Sequence, residues 1–158
     1  MTYSITFRPM LEDDLEFSYQ VYASTRQDEL SVTGWTDDEK ESFLRMQFQA
    51  QHTHYQQHFS AGKFELVEVD GEPAGRLYQW RKSDEHRIID IALLPNFRNR
   101  GIGRRIMGDI LRDAGDANLP VLIHVEHNNP AMNLYLRLGF KKLEDVGVYH
   151  LMRWSPPK

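Results

Sequence analysis

Apolar positions along the chain recur at two spacings and divide it into strands and helices. Residues 4–8 read as a short strand, and behind it Leu11, Leu15, Tyr19 and Tyr22 stand at helical spacing. Thr36-Asp37-Asp38-Glu39 has the form of a capping box, the threonine reaching forward and the glutamate back to satisfy free backbone amides. A helix from there towards Phe59 puts Leu44, Phe48, Tyr55 and Phe59 on one stripe, and Gly62 ends it. Residues 63–69 and 73–80 are strand-like and joined by Asp70-Gly71, a strong hairpin signal because both residues accept positive φ. Residues 87–94 are nearly continuously apolar, as expected of a strand covered on both faces, and Pro95 stops them. Helical spacing resumes at Ile102, Ile106, Ile110 and at Met107, Leu111, Ala114, and residues 121–125 form another buried-type strand after Pro120. Asn129-Pro130 is a cap followed by proline at the first helical position; Ala131, Leu134, Tyr135 and Leu138 share a face before Gly139 closes the helix. Strands at 141–144 and 148–154 pair around Gly147. The order β-α-α-β-β-β-α-β-α-β-β predicts an α+β (mixed α/β) fold with a mixed sheet.

Composition narrows the class. At 158 residues and 27% charged, the chain is expected to form one domain over residues 1–154 with a short 155–158 tail. It has no run of ~18 apolar residues and no basic-then-apolar leader at its start, so a cytoplasmic protein that does not engage a membrane is expected. The absence of cysteine excludes a disulfide scaffold, a thiolate-zinc site and an acyl-cysteine intermediate. The formal charge of −4 is unevenly spread: residues 1–60 carry ten acids against four bases, whereas Arg98, Arg100, Arg104 and Arg105 fall within residues 91–108, which hold no acid. That distribution argues against nucleic acid and for a small anionic ligand.

The arginines surround Gly101-Ile102-Gly103, a turn between a strand and an amphipathic helix. Such a turn offers unpaired backbone N–H groups at the positive end of a helix dipole, and glycine lets a phosphate come close. Ile106 stands where a dinucleotide fingerprint needs glycine or alanine, and Asp109-Ile110 follows Gly103 to Gly108 where a Walker loop needs Lys and Ser/Thr.

Arg98-x-x-Gly101-x-Gly103 after Pro95, together with Asn128-x-x-Ala131-x-x-Leu134-Tyr135-x-x-Leu138-Gly139-Phe140, resembles the two signatures of the GNAT superfamily of N-acetyltransferases, and the order of elements fits that fold over nearly the whole chain. The resemblance implies a central mixed sheet of about seven strands flanked by about four helices, with a V-shaped splay between the strands at 87–94 and 121–125. It implies that backbone groups around Ile91, Ala92 and Leu93 receive the pantetheine arm of acetyl-CoA, and that Arg98, Asn99, Arg100, Gly101, Ile102, Gly103 and Arg104 hold the pyrophosphate. Asn128 resembles the asparagine that contacts the cofactor, Asn133 is a further contact on the same helix, and Tyr135 resembles the tyrosine beside the sulfur.

The chemistry implied is direct acetyl transfer from acetyl-CoA to a primary amine of a small molecule or peptide, with no metal. The alternative is a non-catalytic acyl-CoA-binding module. A lysine-like ammonium (pKa ~10.4) must lose a proton before attack, and the departing thiolate benefits from a donor. Tyr135 is the candidate donor; Asp90, His124 and Glu126 are candidates for the base, His124 because it titrates in the useful range. A cationic acceptor would suit the acidic residues 1–60, and Trp35, Tyr55, Trp80 and Tyr149 are aromatics available to line its pocket. His54 and His58 have the i, i+4 spacing of a metal pair but no obvious further ligand, so they read as a solvated helix face. Many relatives dimerise, which leaves a homodimer through the last strands open.

Overall fold

The computed structural model describes residues 2–158. Among the described residues seven strands form one sheet in the order β1-β2-β3-β4-β5-β7-β6, and five α-helices accompany it. The chain separates into two compact units, residues 2–77 with 91–97 and residues 78–90 with 98–158. Strands β3 (Glu72–Arg81) and β4 (His86–Leu93) each begin in one unit and end in the other. Among the described residues no helix is long and apolar enough to cross a membrane.

In the first unit β1 (Ile5–Pro9) pairs antiparallel with β2 (Lys63–Val69), Ile5 opposite Val69. The β2–β3 turn is the expected two-residue one, with φ of 51° at Asp70 and 83° at Gly71. Leu11 is left outside the next helix and is 65% exposed, because Glu12–Asp14 make one 3₁₀ turn before α1 (Leu15–Ser24) begins. Asp14 fixes that entry by accepting the Leu11 N–H at 2.8 Å and two bonds from the Arg8 guanidinium at 2.7 and 3.0 Å. A helical turn absent from the sequence reading, α2 (Gln27–Leu30), contributes Leu30 to the core. The long α3 (Asp37–His58) opens on the predicted box: Thr36 Oγ1 accepts the Glu39 N–H at 3.2 Å while Glu39 accepts the Thr36 N–H at 2.9 Å. Leu44 and Phe48 of α3 pack with Tyr19, Tyr22, Ala23 and Leu30, and Tyr19 meets Phe48 edge-on at 5.7 Å.

In the second unit α4 (Ile102–Asp116) buries Ile102, Ile106, Met107, Leu111 and Ala114, which is the predicted stripe. Strand β5 (Val121–Glu126) runs parallel to β4 on one side and antiparallel to β7 (Tyr149–Trp154) on the other, and β6 (Lys141–Val146) pairs with β7 around Gly147. Three expectations are corrected. Of β4, only Ile88 is fully buried, and the rest of the strand is half-buried. Strand β5 alternates instead of being buried on both faces, with His124 exposed between Ile123 and Val125. Helix α5 is short, Met132–Arg137, and starts later than Asn129-Pro130 suggested. The Asn129 Oδ1 accepts the Ala131 N–H at 2.8 Å, so the asparagine caps this turn as expected, but the turn closes with the Met132 N–H on the Asn129 carbonyl at 3.0 Å, an i to i+3 bond that precedes the α-helix.

Candidate functional site

The entrance to α4 is built by backbone conformation. Asn99 and Gly101 both have positive φ, 60° and 76°. A side chain at Gly101 would meet nothing within 4 Å, so the glycine answers a conformational need and not crowding. As helix cap it offers no side-chain acceptor, and no acid lies in the first turn. The amides of Ile102, Gly103 and Arg104 have no carbonyl within the helix to bond, and Arg105 donates the first intrahelical bond, to the Gly101 oxygen at 3.0 Å. Ile102 is buried and anchors this turn, while Arg100, Arg104 and Arg105 are exposed and Arg98 is half-buried. The result is a cluster of donors at a positive helix end with basic side chains around it, an arrangement suited to a phosphate or pyrophosphate.

Strands β4 and β5 diverge in the second unit. Their parallel register covers His86–Val121, Arg87–Leu122 and Ile88–Ile123 and goes no further, whereas β5 stays paired with β7 through Glu126. Ile89 and Asp90 therefore part from His124 and Val125, which is the expected splay.

Tyr135, on α5, is 4% exposed and lies beside Phe140 at 5.8 Å between ring centres. Burial first, and the Asp90 charge second, push its phenol up to about 12. The hydroxyl is thus protonated at neutral pH and electrostatically coupled to Asp90, which brings two of the predicted residues together. His124 is placed differently. Its Nδ1 lies 3.2 Å from the Arg87 guanidinium, which has only protons to give, so this bond requires the Nδ1 lone pair and puts the ring proton on Nε2. Arg87 is itself held by Glu85 at 3.0 Å. Although the residue is exposed overall, partial desolvation of the His124 ring, and secondarily the Arg87 charge, keep it below its ordinary pKa, so it is neutral at pH 7.

Asn128 is exposed in the turn that follows β5, and Asn133 is exposed on α5. At 100° per residue, two positions turn the helix by about 200°, so Asn133 and Tyr135 leave it on opposite sides. Glu126 is half-buried at the end of β5. In the first unit, the strand segment carrying Ile91, Ala92 and Leu93 runs tightly against Gly75, where a Cβ would overlap the Ala92 carbonyl oxygen and stand 2.9 Å from a Leu93 methyl. Leu94 donates its N–H to the Ala74 oxygen at 2.8 Å in the same stretch. Sequence reasoning passed over Gly75 because a lone glycine inside a strand pattern reports neither a bulge nor its neighbour. The His54 and His58 rings stack at 4.1 Å, and His58 Nδ1 bonds its own helix at the His54 carbonyl, 3.0 Å away.

A candidate ribosomal protein bS18-alanine N-acetyltransferase of Bacillus subtilis (strain 168) is 26% identical over 139 residues, which is 85% of this chain and 79% of that protein. An N-alpha-acetyltransferase of Sulfurisphaera tokodaii is 28% identical over 102 residues, covering 55% of this chain and 61% of its own. The crystal structure of the PaiA N-acetyltransferase of Thermoplasma acidophilum in complex with coenzyme A shares the fold, with a TM-score of 0.71 at 17% identity over 96% of this chain and 99% of that one. The family model for acetyltransferases of the GNAT type matches residues 16–140, from α1 through α5 and so across the α4 entrance, Asp90 and Tyr135 alike; the chain belongs to the acetyltransferase (GNAT) family.

Proposed function

We propose that the protein moves an acetyl group from acetyl-CoA directly onto an amine, with the amides of residues 102–104 and the arginines of residues 98–104 holding the pyrophosphate. The observation that carries this reading is the α4 entrance, where three amides without helical partners sit at a positive helix end with no acid in the first turn. The family resemblance supports Ile91, Ala92 and Leu93 as backbone contacts of the pantetheine arm, and Asn128 and Asn133 as further cofactor contacts.

In the transfer, the acceptor ammonium gives up a proton, its nitrogen adds to the thioester carbonyl, the carbon–sulfur bond of the tetrahedral intermediate breaks, and the second proton lost from nitrogen passes through solvent to the thiolate, which leaves as the CoA thiol. Asp90 is assigned the ammonium's proton, through water. Tyr135 is assigned the leaving sulfur, which it stabilises by donating a hydrogen bond; outright transfer from a phenol near 12 to a thiolate of pKa ~8.5 would be uphill. His124 has its Nδ1 lone pair engaged by Arg87, which supports assigning the base role to Asp90.

The relatives' names favour a peptide α-amine as acceptor. Such an amine (pKa ~7.7–8.0) is partly deprotonated near neutrality, which a lysine side chain is not. The test has two stages. Acetyl-CoA should raise the melting temperature through preferential binding to the folded protein; no rise at millimolar concentration defeats the cofactor assignment. Free-thiol release should then follow on addition of a peptide with a free N-terminal alanine and not with the N-blocked peptide. Binding with no thiol release across peptides, lysine analogues and polyamines would replace the enzyme by an acyl-CoA-binding module.

A further inference from the structure

At the far edge of the second unit three side chains from three elements meet. His127 lies in the turn after β5, Asp145 on β6 and His150 on β7. Asp145 and His150 are direct cross-strand partners, and His150 is paired on its other side with Val125 of β5. The turn is tied to the same hairpin, since the His127 N–H bonds the Val148 oxygen at 3.0 Å. Backbone ladders therefore fix where all three side chains start. Asp145 Oδ1 lies 2.6 Å from His150 Nδ1 and 3.7 Å from His127 Nε2, and the two imidazoles lie face to face at 3.9 Å. One ligand atom from each residue falls within 4.8 Å of the others.

We propose that His127, Asp145 and His150 form a binding site for one divalent transition-metal ion of the zinc class. Two imidazoles and a carboxylate are the donor set that such ions prefer, whereas calcium and magnesium take oxygen ligands. Metal–ligand bonds of ~2.0–2.2 Å at tetrahedral angles place donor atoms ~3.4 Å apart, and the present separations straddle that value, so side-chain rotation alone assembles the site. The ion replaces the proton now shared between His150 Nδ1 and Asp145, and that proton moves to Nε2 through solvent, leaving a neutral imidazole as ligand. The fourth position stays open to water because the site faces solvent: the His127 and Asp145 side chains are 45% and 58% exposed. Lys142 Nζ, 3.8 Å from Asp145 Oδ1, is the cation that the metal displaces. Occupancy would lock the β5–α5 turn, which carries Asn128, to the β6–β7 hairpin.

The test is calorimetric titration of the untagged full chain with Zn²⁺, alongside melting curves with and without the ion. One Zn²⁺ per chain and a rise in melting temperature are expected for the native protein. His127→Gln and His150→Gln should each abolish both effects while keeping the melting temperature of the metal-free protein. Lys142→Gln should tighten binding. A His54→Gln/His58→Gln double variant should bind as the native protein does. Tetrahedral Co²⁺ absorption should appear with the native chain and vanish with His150→Gln. The proposal is overturned if Zn²⁺ does not bind, if binding survives loss of either His127 or His150, or if it depends on the His54/His58 pair.

Discussion

Gly75 and Gly108 invite the same substitution with opposite consequences. At Gly75 an alanine Cβ would overlap the Ala92 carbonyl oxygen and come within 2.9 Å of the Leu93 Cδ2 and 3.0 Å of its Cα. Two of these three atoms are backbone, so rotating one side chain cannot relieve the overlap and the strand at residues 91–93 must move. Overpacking of this kind costs about 1–3 kcal/mol. In a chain of this size 1 kcal/mol corresponds to roughly 2–4 °C, so Gly75→Ala should lower the melting temperature by about 2–12 °C. Gly108 lies inside α4, and a Cβ there meets nothing within 4 Å. Replacing helical glycine by alanine gains about 1 kcal/mol, so Gly108→Ala should raise the melting temperature by about 2–4 °C. Differential scanning calorimetry of both variants at one pH decides the matter. A Gly75→Ala protein that melts with or above the native one refutes the close approach. Acetyl-CoA kinetics add an independent reading: displaced backbone at Ala92 and Leu93 should raise KM for acetyl-CoA, and an unchanged KM in a destabilised Gly75→Ala would remove those residues from the cofactor site.

Three further outcomes follow from the same structure. Thr36→Ala removes the acceptor for the Glu39 amide at the start of α3 and should cost about 1 kcal/mol, read as a fall of a few degrees in melting temperature; no change would mean that the box is ornamental. Tyr135→Phe keeps the buried ring and deletes the hydroxyl, so turnover should fall on the order of 10²-fold while the acetyl-CoA-induced rise in melting temperature persists; native turnover would dismiss the hydroxyl. His86 and His124 are held below their ordinary pKa chiefly by burial, so the unfolded chain takes up protons first as pH falls. Their contribution to stability is present above about 6.5 and is lost below it; a melting temperature that does not drop between pH 7.5 and 5.5 contradicts this.

What could be read in the sequence was what neighbouring residues decide among themselves. The Thr36–Glu39 box, the Asp70-Gly71 turn and the apolar stripe of α4 each depend on contacts within a few positions. The glycine cap of α4 was legible for the same reason, and with it the donor cluster. The expectation of full cover for residues 87–94 failed on both sides of Ile88, and the departure of β5 after Ile88 is likewise a long-range event that a run of apolar residues does not report. Asn129 does cap the turn before α5 through the Ala131 amide, but that turn closes i to i+3 on the Asn129 carbonyl, so the α-helix starts later than the dipeptide Asn-Pro announces. The Arg87 guanidinium on the His124 Nδ1 was not legible, because Arg87 is distant in sequence. His127, Asp145 and His150 stayed invisible because their spacing matches no ligand motif; only strand pairing brings them together.

Asp90 and Tyr135 are better understood as a pair than as two separate candidates. The Asp90 charge is one of the two causes that raise the Tyr135 phenol, so the protonation of one sets the acidity of the other. While Asp90 is ionised, the hydroxyl is a weak donor. In the proposed transfer, a proton taken by Asp90 from the acceptor ammonium would remove the electrostatic part of that elevation and make the hydroxyl a stronger donor at the stage when negative charge gathers on sulfur. Under that proposal, proton removal at the amine would prepare stabilisation of the leaving thiolate. Asp90→Asn isolates this coupling, since it removes the charge and keeps the side-chain shape. The alkaline ultraviolet titration attributable to Tyr135, obtained by subtracting the Tyr135→Phe curve in each background, should shift to lower pH in Asp90→Asn. An unshifted or upward-shifted titration would show that burial alone sets the phenol, and Asp90 and Tyr135 would then have to be argued independently.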